Sequence, residues 1–413
     1  MMGERPPRIL IVEPVSSGTR LVEDCRALGA QVVVASADSG DRLLSDGLRD
    51  LADQVLVVET NDEEALVRAV DRALPLDAVL PGVELGIPAA ARVGHRLGVT
   101  SLSPETAAWV RNKALMRSRA AAMGVRVPRF AEARSVDELE KAAAEVGFPC
   151  VLKPVDSSGS VHVSRADDLS ELRWSYLRME HDRRLDLGRT AGSHVVVEEY
   201  VCGPEYSADG YVLDGRVSLC SLTRKFLGPE PYFVELGHIV SSENASPEVI
   251  DQVERYVRQV LEALQISFGP FHCELRLSAD GPILIEIGAR LPGDRITDLI
   301  EMATGVSLSR VMVACYLGLP PESADAFGTA QAKCAGIRFF DANGKRSFTR
   351  LEGWAELGAR PDVVETGLSF RPGDDIPSLE DFRGRIGYAI FTADSARQAE
   401  RTWRELGDAI RVI

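Results

Sequence analysis

The sequence lacks the features that mark secreted proteins, membrane-spanning proteins and proteins stabilised by a structural zinc ion. Its seven cysteines are scattered over 413 residues and never form a CxxC pair, so neither a disulfide framework nor a zinc site is indicated. No segment approaches the roughly 18 uninterrupted apolar residues of a membrane span, and the first residues lack the apolar core of a signal peptide. We therefore expect a cytoplasmic protein with no membrane contact.

Positive charge is also scarce. The chain has 47 Lys plus Arg against 62 Asp plus Glu, a net charge of -15, which repels a polyphosphate backbone and disfavours nucleic-acid binding. An acidic protein that binds a phosphorylated small molecule must gather its cations locally. The Lys and Arg residues beside apolar strands and glycine-rich loops are therefore the candidate functional residues.

Length and element order predict a multi-lobed protein. A chain of 413 residues is too long for one ordinary core. Short apolar strands within residues 8–82 alternate with helical patterns, which predicts a parallel, doubly wound α/β lobe over residues 1–102. The SSG loop after the first strand is weak evidence for a dinucleotide site, because GxGxxG is absent.

The remainder of the chain follows an α+β pattern. We predict linker helices and a small β-rich lobe at residues 103–202, a large lobe at 203–329 and a β-rich C-terminal subdomain at 330–413. Asp214 and Gly215 separate two strand patterns within the large lobe and predict a hairpin turn.

The first functional candidate is Lys153 in VLKPVDSSGS. A lysine that ends an apolar strand can hold an ammonium group near phosphates, while backbone N–H groups of the following loop approach the phosphate oxygens. The loop residues best placed for this are Ser158, Gly159 and Ser160. The alternative is a strand-end lysine in solvent beside a mobile loop, which is a common arrangement.

The second candidate is the segment VVVEEYVCGPEYS. Its strand can offer backbone groups to an adenine edge from four consecutive residues, Glu198, Glu199, Tyr200 and Val201. Glu205 follows where a carboxylate could accept hydrogen bonds from ribose hydroxyls. The alternative is an ordinary strand with an exposed acidic end.

The third candidate is a pair of acids on two strands joined by a hairpin, Glu274 and Glu286. Alternation places both carboxylates on the same side, and carboxylates inside apolar strands are costly unless paired or metal-bound. Together with nucleotide phosphates they would hold Mg²⁺; Arg276 or another cation could instead neutralise them. Arg290 in GARLPGD could clamp a carboxylate and then a negative tetrahedral intermediate, and the turn at Gly293 would let substrate approach.

These blocks, together with NK at residues 112–113, occur in an order that resembles the ATP-grasp superfamily, and the resemblance covers essentially the whole chain. It implies an ATP-grasp fold in which Lys113 and Lys153 contact ATP phosphates or adenine. The segment at residues 198–201 would bind adenine and Glu205 the ribose. The resemblance also implies that Glu274 and Glu286 bind Mg²⁺, with Mn²⁺ as a substitute. It implies that Arg290 stabilises an acyl phosphate.

Within that superfamily, ELGHIVSS and GARLPGD look most similar to the L-amino-acid ligases that build dipeptides. The resemblance implies that Asp294 helps shape an amino-acid pocket and that His238 lies near the γ-phosphate or the substrate. Many members carry Asn where this chain has Gly288, so the sequence leaves open whether the site binds one metal ion or two.

The implied reaction is an ATP-dependent ligation of two amino acids through an acyl phosphate, giving a dipeptide, ADP and phosphate. The open alternatives are a γ-glutamyl or purine-pathway ligase, a carboxylase-like enzyme that phosphorylates bicarbonate, and an ATP-binding regulatory protein without turnover. The expected partners are small-molecule amino acids. The oligomeric state is not fixed by the sequence, and a homodimer is one expectation.

Overall fold

The N-terminal lobe of the computed structural model, which describes residues 5–413, is built on a parallel sheet. Its strand order is β3-β2-β1-β4. The strands are β1 (Arg8–Val12), β2 (Gln31–Ser36), β3 (Gln54–Val57) and β4 (Ala78–Pro81), and the helices are α1 (Gly18–Ala27), α2 (Asp46–Leu51), α3 (Glu63–Val70) and α4 (Ile87–Leu97). Alternate residues of β1 pack into separate apolar clusters on its two faces, because a parallel sheet is covered by helices on both sides.

Two linker helices connect this lobe to the next. The helical pattern at residues 103–124 folds as α5 (Pro104–Arg111) and α6 (Lys113–Ala122). The break falls at Asn112, whose side chain caps α6 by accepting a hydrogen bond of 3.0 Å from the Leu115 N–H. Lys113 therefore stands at the start of a helix, and its own N–H donates to Val155 O at 2.8 Å.

The small lobe is a four-stranded antiparallel sheet in the order β5-β8-β6-β7 with two helices on one face. Its elements are β5 (Phe130–Ala133), α7 (Val136–Val146), β6 (Cys150–Pro154), β7 (Ser164–Ala166), α8 (Leu169–His181) and β8 (Val195–Glu199). Because β6 and β8 are neighbours, Lys153 and Glu198 are carried on adjacent strands.

The rest of the chain builds an eight-stranded antiparallel sheet in the order β13-β12-β9-β10-β11-β14-β17-β16. Its strands are β9 (Glu205–Leu213), β10 (Arg216–Leu227), β11 (Glu235–Ser241), β12 (Gly269–Ser278), β13 (Gly281–Gly288), β14 (Cys334–Asp341), β16 (Val363–Leu368) and β17 (Arg385–Ala393). The Asp214-Gly215 hairpin forms as predicted, with Leu213 opposite Arg216. The sheet continues across residue 330, so the predicted large lobe and C-terminal subdomain share one sheet.

Helices and a short second sheet complete this part. They are α9 (Pro247–Ala263), α10 (Ile296–Thr304), α11 (Leu308–Tyr316), α12 (Trp354–Gly358), α13 (Ala396–Ala409), and the paired strands β15 (Leu351–Glu352) and β18 (Arg411–Val412). No helix within residues 5–413 has the length and apolar character needed to cross a membrane.

Candidate active site

One cavity of about 460 Å³ lies where the small lobe, the large sheet and the N-terminal lobe meet. It is lined by most of the residues predicted to act: Lys113, Lys153, Ser158, Gly159, Ser160, Glu198, Glu199, Val201, Glu205, Glu274, Glu286, Arg290, Gly293 and Asp294. Lys153 and Glu286, which are carried on different sheets, thus open onto the same space. Tyr200 and His238 are not among its lining residues.

A buried carboxylate holds the small-lobe lysine in place. Glu198 Oε2 lies 2.7 Å from Lys153 Nζ, and its Oε1 lies 3.0 Å from Arg117 Nε. Burial alone would raise the pKa of Glu198, but Arg117 and Lys153 outweigh it and hold the pKa below its usual value. Burial, helped by Arg117, lowers the pKa of Lys153 against the opposing effect of Glu198. The side chain of Glu198 is thus committed to two cations.

The glycine loop after Lys153 is anchored on several sides. Ser160, in the left-handed region at φ 60°, donates from Oγ to Phe233 O at 2.8 Å, and Lys113 Nζ donates to Ser157 O at 2.8 Å. A Cβ on Gly159, which is also left-handed at φ +60°, would lie 2.5 Å from a ring carbon of Phe382 in the C-terminal subdomain. The loop is therefore packed beneath the C-terminal subdomain.

The two candidate metal ligands face each other across β12 and β13, as alternation predicted. Glu274 and Glu286 are register partners, and Lys113 Nζ lies 3.2 Å from Glu286 Oε2. Glu274 is paired with Lys225, a buried residue of β10 that also pairs with Glu235. Arg276, the cation suggested by the sequence, does not neutralise this pair.

Protonation around Glu274 is set by its buried neighbours. Burial alone would raise the pKa of Glu274, but Lys225 outweighs it and holds the pKa well below its usual value. Burial would lower the pKa of His272, yet Asp209, 2.5 Å away, and Glu274, 3.0 Å away, raise it to about 9. Burial raises the pKa of Glu235. Glu274 is therefore ionised at neutral pH beside a protonated histidine.

The donor set in this region is suited to a magnesium ion. Carboxylate oxygens of Glu205, Glu235 and Glu274 lie within 4.8 Å of one another, and Glu286 faces Glu274. Hard oxygen ligands are those that Mg²⁺ prefers. The same carboxylates bind ammonium groups, so this part of the cavity is built to hold positive charge.

Glu205 and Tyr200, predicted to lie near ribose and adenine, are tied to one arginine. Arg276 Nε donates to Glu205 Oε2 at 3.0 Å, and its NH1 donates to Val201 O at 2.8 Å. The guanidinium also lies 5.3 Å from the centre of the Tyr200 ring. Glu205 lines the cavity, whereas the Tyr200 hydroxyl turns to Glu230 at 2.6 Å.

Arg290 is held by an acid from the N-terminal lobe that the sequence did not single out. Its guanidinium pairs with Glu84, which lies 3.1 Å from Arg111. Burial alone would raise the pKa of Glu84, but Arg290 and Arg111 outweigh it and lower the pKa. A Cβ on Gly288 would lie 3.2 Å from Glu84 Oε2 and 3.3 Å from Arg290 Cγ. Gly288, where the resemblance led us to expect asparagine, therefore leaves room for this ion pair.

Asp294 is also neutralised, by a residue from the C-terminal subdomain. Arg385 NH1 lies 2.7 Å from Asp294 Oδ2, and Arg385 outweighs burial to hold the pKa of Asp294 well below its usual value. His238 is wholly buried behind the cavity wall, with Nε2 3.2 Å from Asp294 Oδ2 and 3.6 Å from Glu235 Oε2. His238 thus contacts Asp294 and is not among the residues that line the cavity, and its catalytic role stays a prediction.

Loops of the N-terminal lobe complete the cavity; in the sequence, the SSG loop after β1 carried little weight and the loop after β4 was not singled out. Val15, Ser16 and Ser17 follow β1, and Val83 and Glu84 follow β4; all five line the cavity. Since the strand order reverses between β1 and β4, these loops flank the topological switch point, where open α/β sheets bind ligands. Knowledge of the strand order of this sheet could have indicated that these loops line the site.

Comparisons with known proteins bear on the fold and the family of this chain. Residues 146–298 match the ATP-grasp domain family, described as ATP-grasp_4, and residues 338–413 match the L-amino acid ligase C-terminal domain 2. The fold is that of the crystal structure of an L-amino acid ligase from Bacillus licheniformis, with a TM-score of 0.83, 24% identity and 99% of each chain covered.

Curated relatives fall into more than one functional group. A dapdiamide A synthase from Enterobacter agglomerans is 28% identical over 72% of this chain and 70% of its own length. A formate-dependent phosphoribosylglycinamide formyltransferase from Oleidesulfovibrio alaskensis is 27% identical over 98% of this chain and 96% of its own. The predicted ATP-grasp fold and its resemblance to amino-acid ligases are confirmed.

Proposed function

We propose that this chain, an ATP-dependent C–N bond-forming enzyme with an ATP-grasp domain and an L-amino acid ligase C-terminal domain, joins two amino acids into a dipeptide. The observation that carries the proposal is the convergence of cations and acids on one cavity. Lys113 and Lys153 reach it from the linker helix and small lobe, and Glu274 and Glu286 from the β12–β13 hairpin. The match of residues 338–413 to a domain of L-amino acid ligases favours amino acids as substrates.

In this reaction the carboxylate of the first amino acid attacks the γ-phosphorus of ATP and releases ADP, which leaves an acyl phosphate. The amine of the second amino acid then attacks the acyl carbon and expels phosphate. Positioning and charge neutralisation supply most of the catalysis in such phosphoryl transfers. The protein therefore needs fixed cations more than it needs a covalent nucleophile.

Each charged group has a task suited to its place. Lys113 and Lys153 neutralise the phosphates, and backbone N–H groups of residues 158–160 approach the same oxygens. Arg290 would stabilise the negative oxygen that forms when the amine attacks the acyl carbon. Glu274 and Glu286 would hold Mg²⁺, with Mn²⁺ as a substitute, which would supply further neutralisation of the γ-phosphate.

The decisive experiment is a pairwise screen of amino acids that measures phosphate release and detects the amide by mass. Glu286→Gln should lower the turnover number by about 10²–10³-fold, the usual scale for losing a group that stabilises transition-state charge. Glu254→Gln is the matched control, because Glu254 lies on α9 and its one ion pair within residues 5–413 is with Arg258 on the same helix. Near-normal turnover in Glu286→Gln would refute the metal assignment.

A second candidate is a ligase that activates formate or bicarbonate instead of an amino acid. The observation in its favour is the formate-dependent relative that matches 98% of this chain. ADP release that depends on formate or bicarbonate, without any amino acid, would support this candidate over dipeptide formation.

A further inference from the structure

A segment between α8 and β8, residues 182–189, contributes to the lining of the cavity and is called the strap here. At its start Asp182 Oδ2 lies 2.7 Å from Arg184 NH2, 3.2 Å from His162 Nε2 and 3.5 Å from Arg383 NH2. At its end Arg189 NH2 lies 2.7 Å from Asp156 Oδ2. Both ends of the strap are thus fixed to residues around the glycine loop.

The middle of the strap rests on the N-terminal lobe. Leu187 O accepts a hydrogen bond of 3.0 Å from Asn61 Nδ2, and the Gly188 N–H donates to Asp41 Oδ2 at 3.2 Å. Gly188 is left-handed at φ +78°, and a Cβ there would lie 2.2 Å from Arg42 NH2. This close approach gives the strap a defined path and presents Leu185, Asp186 and Leu187 to the cavity.

Asp186 is the one acid of the strap that faces the cavity, and its carboxylate has no partner among residues 5–413. Its hydrogen bonds run through its backbone, with its N–H donating to Arg189 O at 2.8 Å. The nearest cations are committed elsewhere: Arg383 pairs with Asp381 and Asp182, and Arg111 with Glu84. Asp41, which accepts the Gly188 N–H two residues farther along the strap, also lines the cavity.

The charges around Asp186 agree with its geometry in indicating a site for a cation. Burial raises the pKa of Asp186, and the neighbouring Asp41 carboxylate adds to the rise, although Arg383 and Arg111 oppose it. A half-buried carboxylate such as that of Asp186, near another acid, is stabilised when a cation binds close to it. The other acids of the substrate end, Glu84 and Asp294, already have arginine partners.

We propose that Asp186, with Asp41 beside it, binds the positively charged end of a substrate side chain, so that one of the two substrates carries a second positive charge. This rests on the proposed amino-acid ligation. Leu185 and Leu187 flank Asp186 and would pack on the methylene groups that carry such a charge. The substrate class is therefore a basic amino acid, such as one with a guanidinium or a terminal ammonium group.

The test compares substrates of nearly equal shape that differ in charge. Amide formation is measured for L-arginine against L-citrulline and for L-lysine against L-norleucine, and the kcat/KM ratio within each pair is the readout. We expect wild type to favour the charged member by about tenfold to a hundredfold, the scale of a hydrogen bond to a charged group. Asp186→Asn should bring the ratio close to one, and Asp186→Lys should favour L-glutamate over L-glutamine.

Asp251→Asn on the exposed face of α9 is the matched control and should keep the wild-type ratio. The proposal is overturned by a wild-type ratio near one, or by a ratio that survives in Asp186→Asn. It is also overturned if Asp186→Asn weakens both members of a pair equally, since Asp186 would then bind the α-ammonium group common to all amino acids.

Direct binding separates failure of this proposal from failure of the proposed ligation. Calorimetry of L-arginine and L-citrulline is done with protein bound to Mg²⁺ and a non-hydrolysable ATP analogue. If no pair of amino acids yields an amide, the ligation is wrong, but tighter binding of L-arginine that is lost in Asp186→Asn still supports the cation site. Equal binding of the two ligands overturns it.

Discussion

Replacing Glu198 by glutamine tests whether the buried charge network beneath the nucleotide site carries stability as well as position. The substitution keeps the shape of the side chain but leaves Lys153 and Arg117 facing each other with no neutralising charge. Arg117 is wholly buried and Lys153 is 6% exposed, so solvent cannot replace the lost carboxylate. Breaking such a buried pair costs about 3 to 5 kcal/mol.

That loss is large enough to measure by thermal unfolding. In a cooperative unit of about 150 to 250 residues, each kcal/mol lowers Tm by about 2–4 °C, so Glu198→Gln should lower Tm by roughly 6–20 °C. Glu199→Gln is the matched control on the same strand, because its partner Arg129 is exposed and their 2.8 Å ion pair lies at the surface, where such pairs contribute about 0–1 kcal/mol. Equal losses of Tm in the two variants would refute the reasoning.

A second readout of Glu198→Gln concerns proton binding. Without Glu198, the pKa of Lys153 falls further, because burial and Arg117 then act unopposed by that carboxylate. Lys153 loses its charge as pH rises, so affinity for an ATP analogue should weaken with rising pH more steeply in the variant than in wild type. The same pH dependence of ATP-analogue affinity in the variant and in wild type would contradict this expectation.

Two further predictions concern His272 and Gly288. The pKa of His272 is raised to about 9, so in metal-free protein its stabilising effect is fully present below pH ~6.5, the unfolded value, and is lost as pH rises through about 9. His272→Gln should therefore make Tm fall less steeply with pH over that range. An unchanged dependence of Tm on pH would contradict the assignment. Gly288→Asn should lower both Tm and kcat, because its Cβ would lie 3.2 Å from Glu84 Oε2 and would press on the Glu84–Arg290 pair. Gly47→Asn, where a Cβ meets nothing within 4 Å, is its control, and equal effects in the two variants would argue against the steric reason.

Residues whose chemistry is set by local pattern were accessible from the sequence. Alternation along β12 and β13 placed Glu274 and Glu286 on one side, and the apolar strand before the glycine loop placed Lys153 at its end. The structure brings these residues to one cavity, while the roles assigned to them stay predictions. The ordered set of motifs also led to the ATP-grasp resemblance, which the comparisons confirm.

The partners of these residues could not be read in the same way. Lys225, not Arg276, neutralises Glu274, and Glu84 binds Arg290 from 206 residues away along the chain. Such pairs depend on how whole lobes pack, and no local periodicity encodes that packing. The same limit applies to His238, whose motif was visible but whose buried side chain contacts Asp294 and is not among the residues that line the cavity.

The sequence by itself determined the parallel N-terminal sheet, the two-strand acid pair and the cationic glycine loop, because strand alternation, apolar runs and turn residues act over a few neighbouring positions. Only the tertiary structure decided which charges meet. It joined the loops after β1 and β4 to the site, ran one sheet through the C-terminal subdomain, and left the Asp186 carboxylate at the cavity with no partner in the part of the chain that the structure describes. Charge pairing follows distance in space, and distances between lobes arise only when the chain is fully packed.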